Sequence, residues 1–290
     1  MYDRLLVPTD GSTVADAAGE TAVALARRVD AELHVLHVRE PTERPVGAGD
    51  APPTDAVEDG DEATATVAEM AADAGVETRT ATLQERETVH QTILRYAADH
   101  DVECIVMGTH GRTGLDRFVL GSVAELTLRQ SSIPVMTVHE DTVVDPSFDD
   151  VLVPTDGSSC AAAAADHAID LARSTGATLH VINVVDSGAV WGGANVAMVL
   201  DALEEIGEQA LDDVRTRAKA ADVTAIEGAV LSGIPYRAIA EYAEESDVDC
   251  VVMGTHGRTG LDRYLLGSVT ERVVRLSDVP VLSIREREAD

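Results

Sequence analysis

The chain is a tandem duplication, and no other feature of the sequence restricts its fold as much. Leu5-Leu6-Val7-Pro8-Thr9-Asp10-Gly11-Ser12 returns as Val151-Leu152-Val153-Pro154-Thr155-Asp156-Gly157-Ser158, and residues 104–125 return as 250–271 with 18 of 22 positions identical. Both matches are displaced by 146 residues, as is His34-Val35 against His180-Val181, so no net insertion separates these landmarks. Solenoid repeats recur every ~20–50 residues, whereas a period this long means two whole domains. A length of 290 residues suits that division at roughly 150 per domain. The expected domains are 1–140 and 148–290, joined by a linker at about 139–149 that carries Pro146.

Within the first half, residues 5–9, 33–38, 76–82, 103–108 and 133–138 read as strands. Ala-rich amphipathic segments at 12–29, 61–74, 88–99 and 122–130 read as helices. Cys104-Ile105-Val106-Met107 is apolar without alternation, as in a parallel strand covered on both faces. The fold class is therefore α/β: two tandem open parallel sheets with helices on both faces and right-handed crossovers. Residues 40–62, rich in Pro, Gly, Asp and Glu, are expected to form a solvent loop. The matching part of the second half carries Val190-Trp191-Gly192-Gly193 and a helical run at 196–219, a lid or a contact surface.

Charge narrows the partners. Asp and Glu total 52 against 22 Lys plus Arg, a net charge of -30, which disfavours nucleic acid and anionic membrane surfaces. No run approaches the ~18 apolar residues of a membrane span, and Met1-Tyr2-Asp3-Arg4 leads into a strand without a signal-peptide layout, so a cytoplasmic protein is expected. Lys219 is the one lysine. So acidic a surface fits a halophilic cytoplasm, where charge is screened within about 3 Å at 1 M salt; the codon bias of a high-GC genome is the other reading. Cys104, Cys160 and Cys250 are far apart and form no Cys-x-x-Cys pair, so they read as packed thiols.

The chemistry lies in Gly108-Thr109-His110-Gly111, nine further residues and Gly121-Ser122, repeated as Gly254-Thr255-His256-Gly257, nine residues and Gly267-Ser268. Each loop starts where a buried strand ends and finishes where a helix begins. Glycines permit close backbone approach, and free N–H groups with the helix dipole favour an anion there. Arg112 and Arg117, with Arg258 and Arg263, add two guanidinium groups per loop. As simple turns, the same loops need only Ser122 and Ser268 as N-caps. Asp10 and Asp156 end the first strand of each half, where ligands of open α/β sheets bind if the strand order reverses. Such an Asp accepts from a ribose hydroxyl, helps hold Mg²⁺, or merely caps a turn and helix.

Other nucleotide folds are excluded. A Walker A loop needs Gly-Lys-Ser/Thr, and Lys219 stands between alanines; a dinucleotide fingerprint needs Gly-x-Gly-x-x-Gly after the first strand, where only Gly11 or Gly157 is present. His110 and His256 have no acidic partner or nucleophile elbow at telling spacing, so no catalytic residue is assigned.

Gly-x2-Gly-x9-Gly-Ser together with Pro-Thr-Asp-Gly-Ser, in order in both halves, resembles the ATP-binding branch of the universal stress protein family. The resemblance implies five-stranded sheets of order 3-2-1-4-5, with ATP and Mg²⁺ as cofactors in each half. It implies that Pro8, Thr9, Asp10 and Val38 hold adenine and ribose, and that Gly108, Gly111, Gly121 and Ser122 hold ribose and phosphates. In the second half the same roles fall to Pro154, Thr155, Asp156, Val184, Gly254, Gly257, Gly267 and Ser268. Glu87-Thr88-Val89 departs from the pattern that Gly233-Ile234-Pro235 keeps. The apolar edges at 133–138 and 279–284 are expected to pair, making an intramolecular pseudo-dimer able to dimerise further. Three functions follow: an ATP-binding regulator, a slow ATPase or phosphotransfer enzyme at the same crevice, or a nucleotide-free scaffold using the Trp191 segment.

Overall fold

A computed structural model of the chain describes residues 1–39, 54–84, 87–111, 120–142, 147–186, 196–257 and 266–286, side chains 54–59 and 196 apart. The first half runs β1 (Arg4–Pro8), α1 (Thr13–Val29), β2 (Glu32–Arg39), α2 (Thr54–Ala74), β3 (Thr78–Gln84), α3 (Val89–Asp99), β4 (Cys104–Gly108), α4 (Ser122–Gln130) and β5 (Val135–Val138). The second runs β6 (Asp150–Pro154), α5 (Ser159–Thr175), β7 (Thr178–Asp186), α6 (Val196–Ala220), β8 (Ile226–Gly233), α7 (Pro235–Glu245), β9 (Cys250–Gly254), α8 (Ser268–Leu276) and β10 (Val281–Ile284).

The strands of each half are parallel, in the order β3-β2-β1-β4-β5 and β8-β7-β6-β9-β10. The chain divides into two compact units: one comprises Tyr2–Thr127 and Val135–Thr142, the other Val143–Asp290 with Leu128–Pro134 and Met1.

Central strands are buried without alternation because helices cover both faces. Leu5, Leu6 and Val7 of β1 are fully buried, as are Leu152 and Val153 of β6. The edge strand β3, Thr-Arg-Thr-Ala-Thr-Leu-Gln, is largely polar and partly exposed, as suits a sheet margin. The helices after β1 and β6 start alike: Ser12 Oγ accepts from the Ala15 N–H at 3.3 Å, and Ser158 Oγ from the Ala161 N–H at 3.2 Å. Both end on a residue in the left-handed region, Asp30 and Gly176.

Two expectations need correction. Residues 54–62 of the expected loop are helical, since α2 begins at Thr54. The proline-rich stretch ends at Pro52-Pro53, and the helix starts at the next residue. Averaging composition across the segment hid that boundary; residues 40–53 lie outside the described residues. Strand β3 also starts two residues later than expected, because the Val76 N–H donates to the Ala71 carbonyl at 2.8 Å and closes α2. The expected helix at 196–219 is α6, while Trp191 and residues 143–146 of the linker lie outside the described residues. Among the described residues no helix is long and apolar enough to cross a membrane.

All three cysteines are buried and none forms a disulfide. Burial pushes the Cys250 thiol up to about 12, so almost no thiolate forms at pH 8. Iodoacetamide at pH 8 is expected to leave Cys250 unmodified in the native chain and to alkylate it fully in denaturant, read by intact mass; rapid native labelling would show the strand to be open.

Candidate functional site

β1 is bonded on one side to β2 and on the other to β4, so the crossovers leave its two flanks in opposite directions. A crevice opens beyond its carboxyl end, and the second half repeats this with β6 between β7 and β9. Thr9 and Thr155, the residues just past each strand, are buried. Each keeps its N–H on the neighbouring strand, Thr9 to Leu36 O at 2.9 Å and Thr155 to Ile182 O at 2.8 Å. Their hydroxyl oxygens accept from the Gly11 and Gly157 N–H groups at 3.1 and 3.2 Å. Those two glycines have φ of 73° and 77°, which a side chain would strain.

This turn aims the acid. Asp10 Oδ1 accepts from Ser12 N–H at 3.1 Å and from Ser12 Oγ at 2.6 Å, and Asp156 Oδ1 accepts from Ser158 N–H at 2.9 Å. The other carboxylate oxygen lies against the glycine loop. A Cβ on Gly111 would stand 2.5 Å from Asp10 Oδ2, and one on Gly257 would stand 2.8 Å from Asp156 Oδ2. Strand tip and glycine loop thus meet in both halves.

The other loop glycines do different work from the one the sequence pattern suggests. Gly108 lets β4 approach α1, since a Cβ there would lie 2.7 Å from Val14 Cγ1; a Cβ on Gly254 would lie 2.9 Å from the Cys160 carbonyl and Sγ. The N–H groups of Gly121 and Gly267 are not open to a ligand: they donate to the Thr109 and Thr255 carbonyls at 2.8 and 2.7 Å, closing the loop. Gly267 is the N-cap of α8, and Gly121 precedes α4 in the same way, so Ser122 and Ser268 are first helical residues and not caps. A glycine cap has no side chain to satisfy the first-turn amides. The intrahelical bonds begin with the Glu125 and Glu271 N–H groups, on Gly121 O and Gly267 O, so the three amides before each have no acceptor within the helix.

In the first half these groups surround a cavity of about 430 Å³, within the ~300–1,000 Å³ of small-molecule sites. Pro8, Thr9, Asp10, Val38, Gly108, Gly111, Gly121 and Ser122 all line it. So do His37, absent from the expected set, and His110, which the sequence marks as turn-stabilising or ligand-contacting and not as catalytic. His110 Nδ1 is 3.3 Å from Thr109 Oγ1, which also meets the buried His139 Nδ1 at 3.0 Å. In the second half His256 Nδ1 is 2.9 Å from Thr255 Oγ1, and its Nε2 is buried with no hydrogen-bond partner among the described residues. Pro154 ends β6, Val184 is half-buried near the end of β7, and Gly254 ends β9. Arg112, Arg117, Arg258 and Arg263 lie outside the described residues.

The halves differ at the third helix. α3 begins with a side-chain cap, the Thr88 N–H donating to Gln91 Oε1 at 3.2 Å, and Glu87 pairs with Arg95 at 3.6 Å. α7 begins with Pro235 after Gly233, whose φ is 154°. Among the described residues no group of three His, Cys, Asp or Glu could hold a metal ion.

A profile of the universal stress protein family matches residues 1–139 and again 147–285. A universal stress protein of Mycolicibacterium smegmatis is 30% identical across 98% of this chain and 97% of its own. One from Methanocaldococcus jannaschii is 39% identical over 47% of this chain and 81% of its own. The crystal structure of a universal stress protein from Archaeoglobus fulgidus superposes with a TM-score of 0.71, at 27% identity and 98% coverage of both chains.

Burial raises the Asp16 carboxyl above its ordinary range, and the neighbouring Asp10 charge raises it further. The folded chain therefore holds this proton more tightly than the unfolded chain, so Asp16 favours folding as pH falls through its raised pKa. Asp10→Asn removes the second cause: carboxyl-carbon NMR is expected to show Asp16 titrating at lower pH in that variant, and an unmoved titration would separate the two groups.

Proposed function

Because the chain belongs to the universal stress protein family, we propose that each half binds an adenine nucleotide and that the chain is a cytoplasmic ATP-binding regulator of a stress response. The observation that carries this reading is the approach of Gly111 to the Asp10 carboxylate in the cavity that Ser122 of α4 also lines, an approach that Gly257 and Asp156 repeat in the half whose α8 starts at a glycine cap. First-turn amides without an acceptor in their own helix, together with the helix dipole, suit phosphate oxygens. The carboxylate beyond β1 suits a ribose hydroxyl, and the apolar wall of Val38, Val89 and Ile93 suits a planar base.

Mg²⁺ fits this arrangement only as an ion shared with the ligand. Among the described residues one carboxylate, Asp10, lines the first-half cavity, and Mg²⁺ is commonly held by one or two carboxylates together with substrate phosphates and water. Bound there, it would neutralise phosphate charge, and the chain's own part would be to orient it through Asp10 or Asp156. Nucleotide then stabilises the binding-competent state in proportion to its differential affinity, as a sensor requires. The acidic surface keeps such a protein dissolved in a salt-rich cytoplasm.

Calorimetry with Mg-ATP in concentrated KCl is the test, with up to two sites per chain expected. Nucleotide at a hundredfold over Kd should add about 2.7 kcal/mol to stability and raise Tm. Gly111→Val and Gly257→Val, whose side chains would meet the carboxylate, are each expected to remove one site while leaving the fold intact. No heat and no thermal shift at millimolar nucleotide would end the proposal.

A further inference from the structure

We infer that His37 in the first half and Asn183 in the second are positioning residues of the nucleotide site, each clamping the carbonyl at the strand tip that carries the acid. The inference rests on the nucleotide reading above, and its evidence is a contact made twice with different chemistry. His37 Nδ1 lies 2.9 Å from the Thr9 carbonyl oxygen, and Asn183 Nδ2 lies 2.7 Å from the Thr155 carbonyl oxygen. Since a carbonyl only accepts, His37 carries its proton on Nδ1 and donates, as the Asn183 amide does.

The duplicated positions have changed from an imidazole to a carboxamide while the bond has stayed. What the site keeps is therefore the hydrogen bond and not the side chain. The reason lies in the ends of β1 and β6. Thr9 and Thr155 keep their N–H groups on the adjacent strand and are buried, so a carbonyl leaving the ladder there needs a donor other than water. With the clamp made, the threonine is held through its N–H, its hydroxyl and its carbonyl, and the next residue is the acid.

A helix backs each clamp. A Cβ on Gly60 of α2 would stand 2.7 Å from His37 Cδ2, and one on Gly207 of α6 would stand 2.5 Å from Asn183 Oδ1. Glycine in a helix interior costs stability relative to alanine, and here it lets the helix backbone press the clamping side chain against the carbonyl.

The test is amide hydrogen exchange on the full chain without nucleotide, followed by calorimetry with Mg-ATP. His37→Ala should speed exchange in residues 9–12 about tenfold, the effect of a lost buried hydrogen bond, and leave residues 155–158 unchanged. His37→Asn, which borrows the second half's own solution, should restore protection. Asn183→Ala and Asn183→His should do the same at 155–158, so either half supplies the test if one alanine variant fails to fold. In calorimetry each alanine variant should weaken one site about tenfold, and each exchanged variant should not. Native protection in both alanine variants, or equal loss with alanine and with the exchanged residue, overturns the clamp even if ATP binds normally. If the exchange pattern holds but the unaltered chain takes up no ATP, the clamp orders the strand tip while the nucleotide reading, and with it the assignment to a nucleotide site, falls.

Discussion

The absence of a side chain at Gly111 and Gly257 is the constraint on which the site depends. Neither glycine has the positive φ that usually explains such a residue; each is needed because a carboxylate oxygen occupies the space where a Cβ would be. That approach brings an acid from one strand end to a loop from another, and it is possible only because strand order reverses at β1 and at β6. The Gly121 and Gly267 amides then close the loop internally, and α8 starts at a cap without a side chain. In the first half the acid and the start of α4 line one cavity.

Much of this was legible in the duplication. Two copies of Pro-Thr-Asp-Gly-Ser and of the glycine loop, each beside an apolar run, identified strand ends, and the strand ends located the crevice. Legibility failed where a residue's role depends on a distant partner. Nothing local marks Gly108 as the seat of Val14, or Ser122 as a first helical residue in place of a cap. The α2 boundary was missed because one composition was read across a proline-rich stretch and a helix start. His37 could have been found: a second histidine beside His34 in the run 33–38, aligned with Asn183, signals a buried donor with a fixed task.

The halves share a backbone and differ at their margins. Asp16, close enough to feel the Asp10 charge, is replaced by Ala162; Val14 against Gly108 is replaced by Cys160 against Gly254; the capped start of α3 is replaced by a proline start at α7. These exchanges leave the acid, the glycine contact and the uncapped helix in place. Divergence has worked around the acid and the glycine contact, so under the proposed function the two halves are expected to differ in affinity more than in the class of ligand they accept.

The central claim is that main-chain amides of the loop and helix receive the phosphates. Amide spectra of the isotope-labelled chain, recorded as Mg-ATP is added, test it most directly. The account predicts that the Gly111, Ser122 and Val123 resonances, with Gly257, Ser268 and Val269, shift more than those of the edge strands β3 and β8. Saturation with nucleotide while these six amides stay unmoved would contradict it.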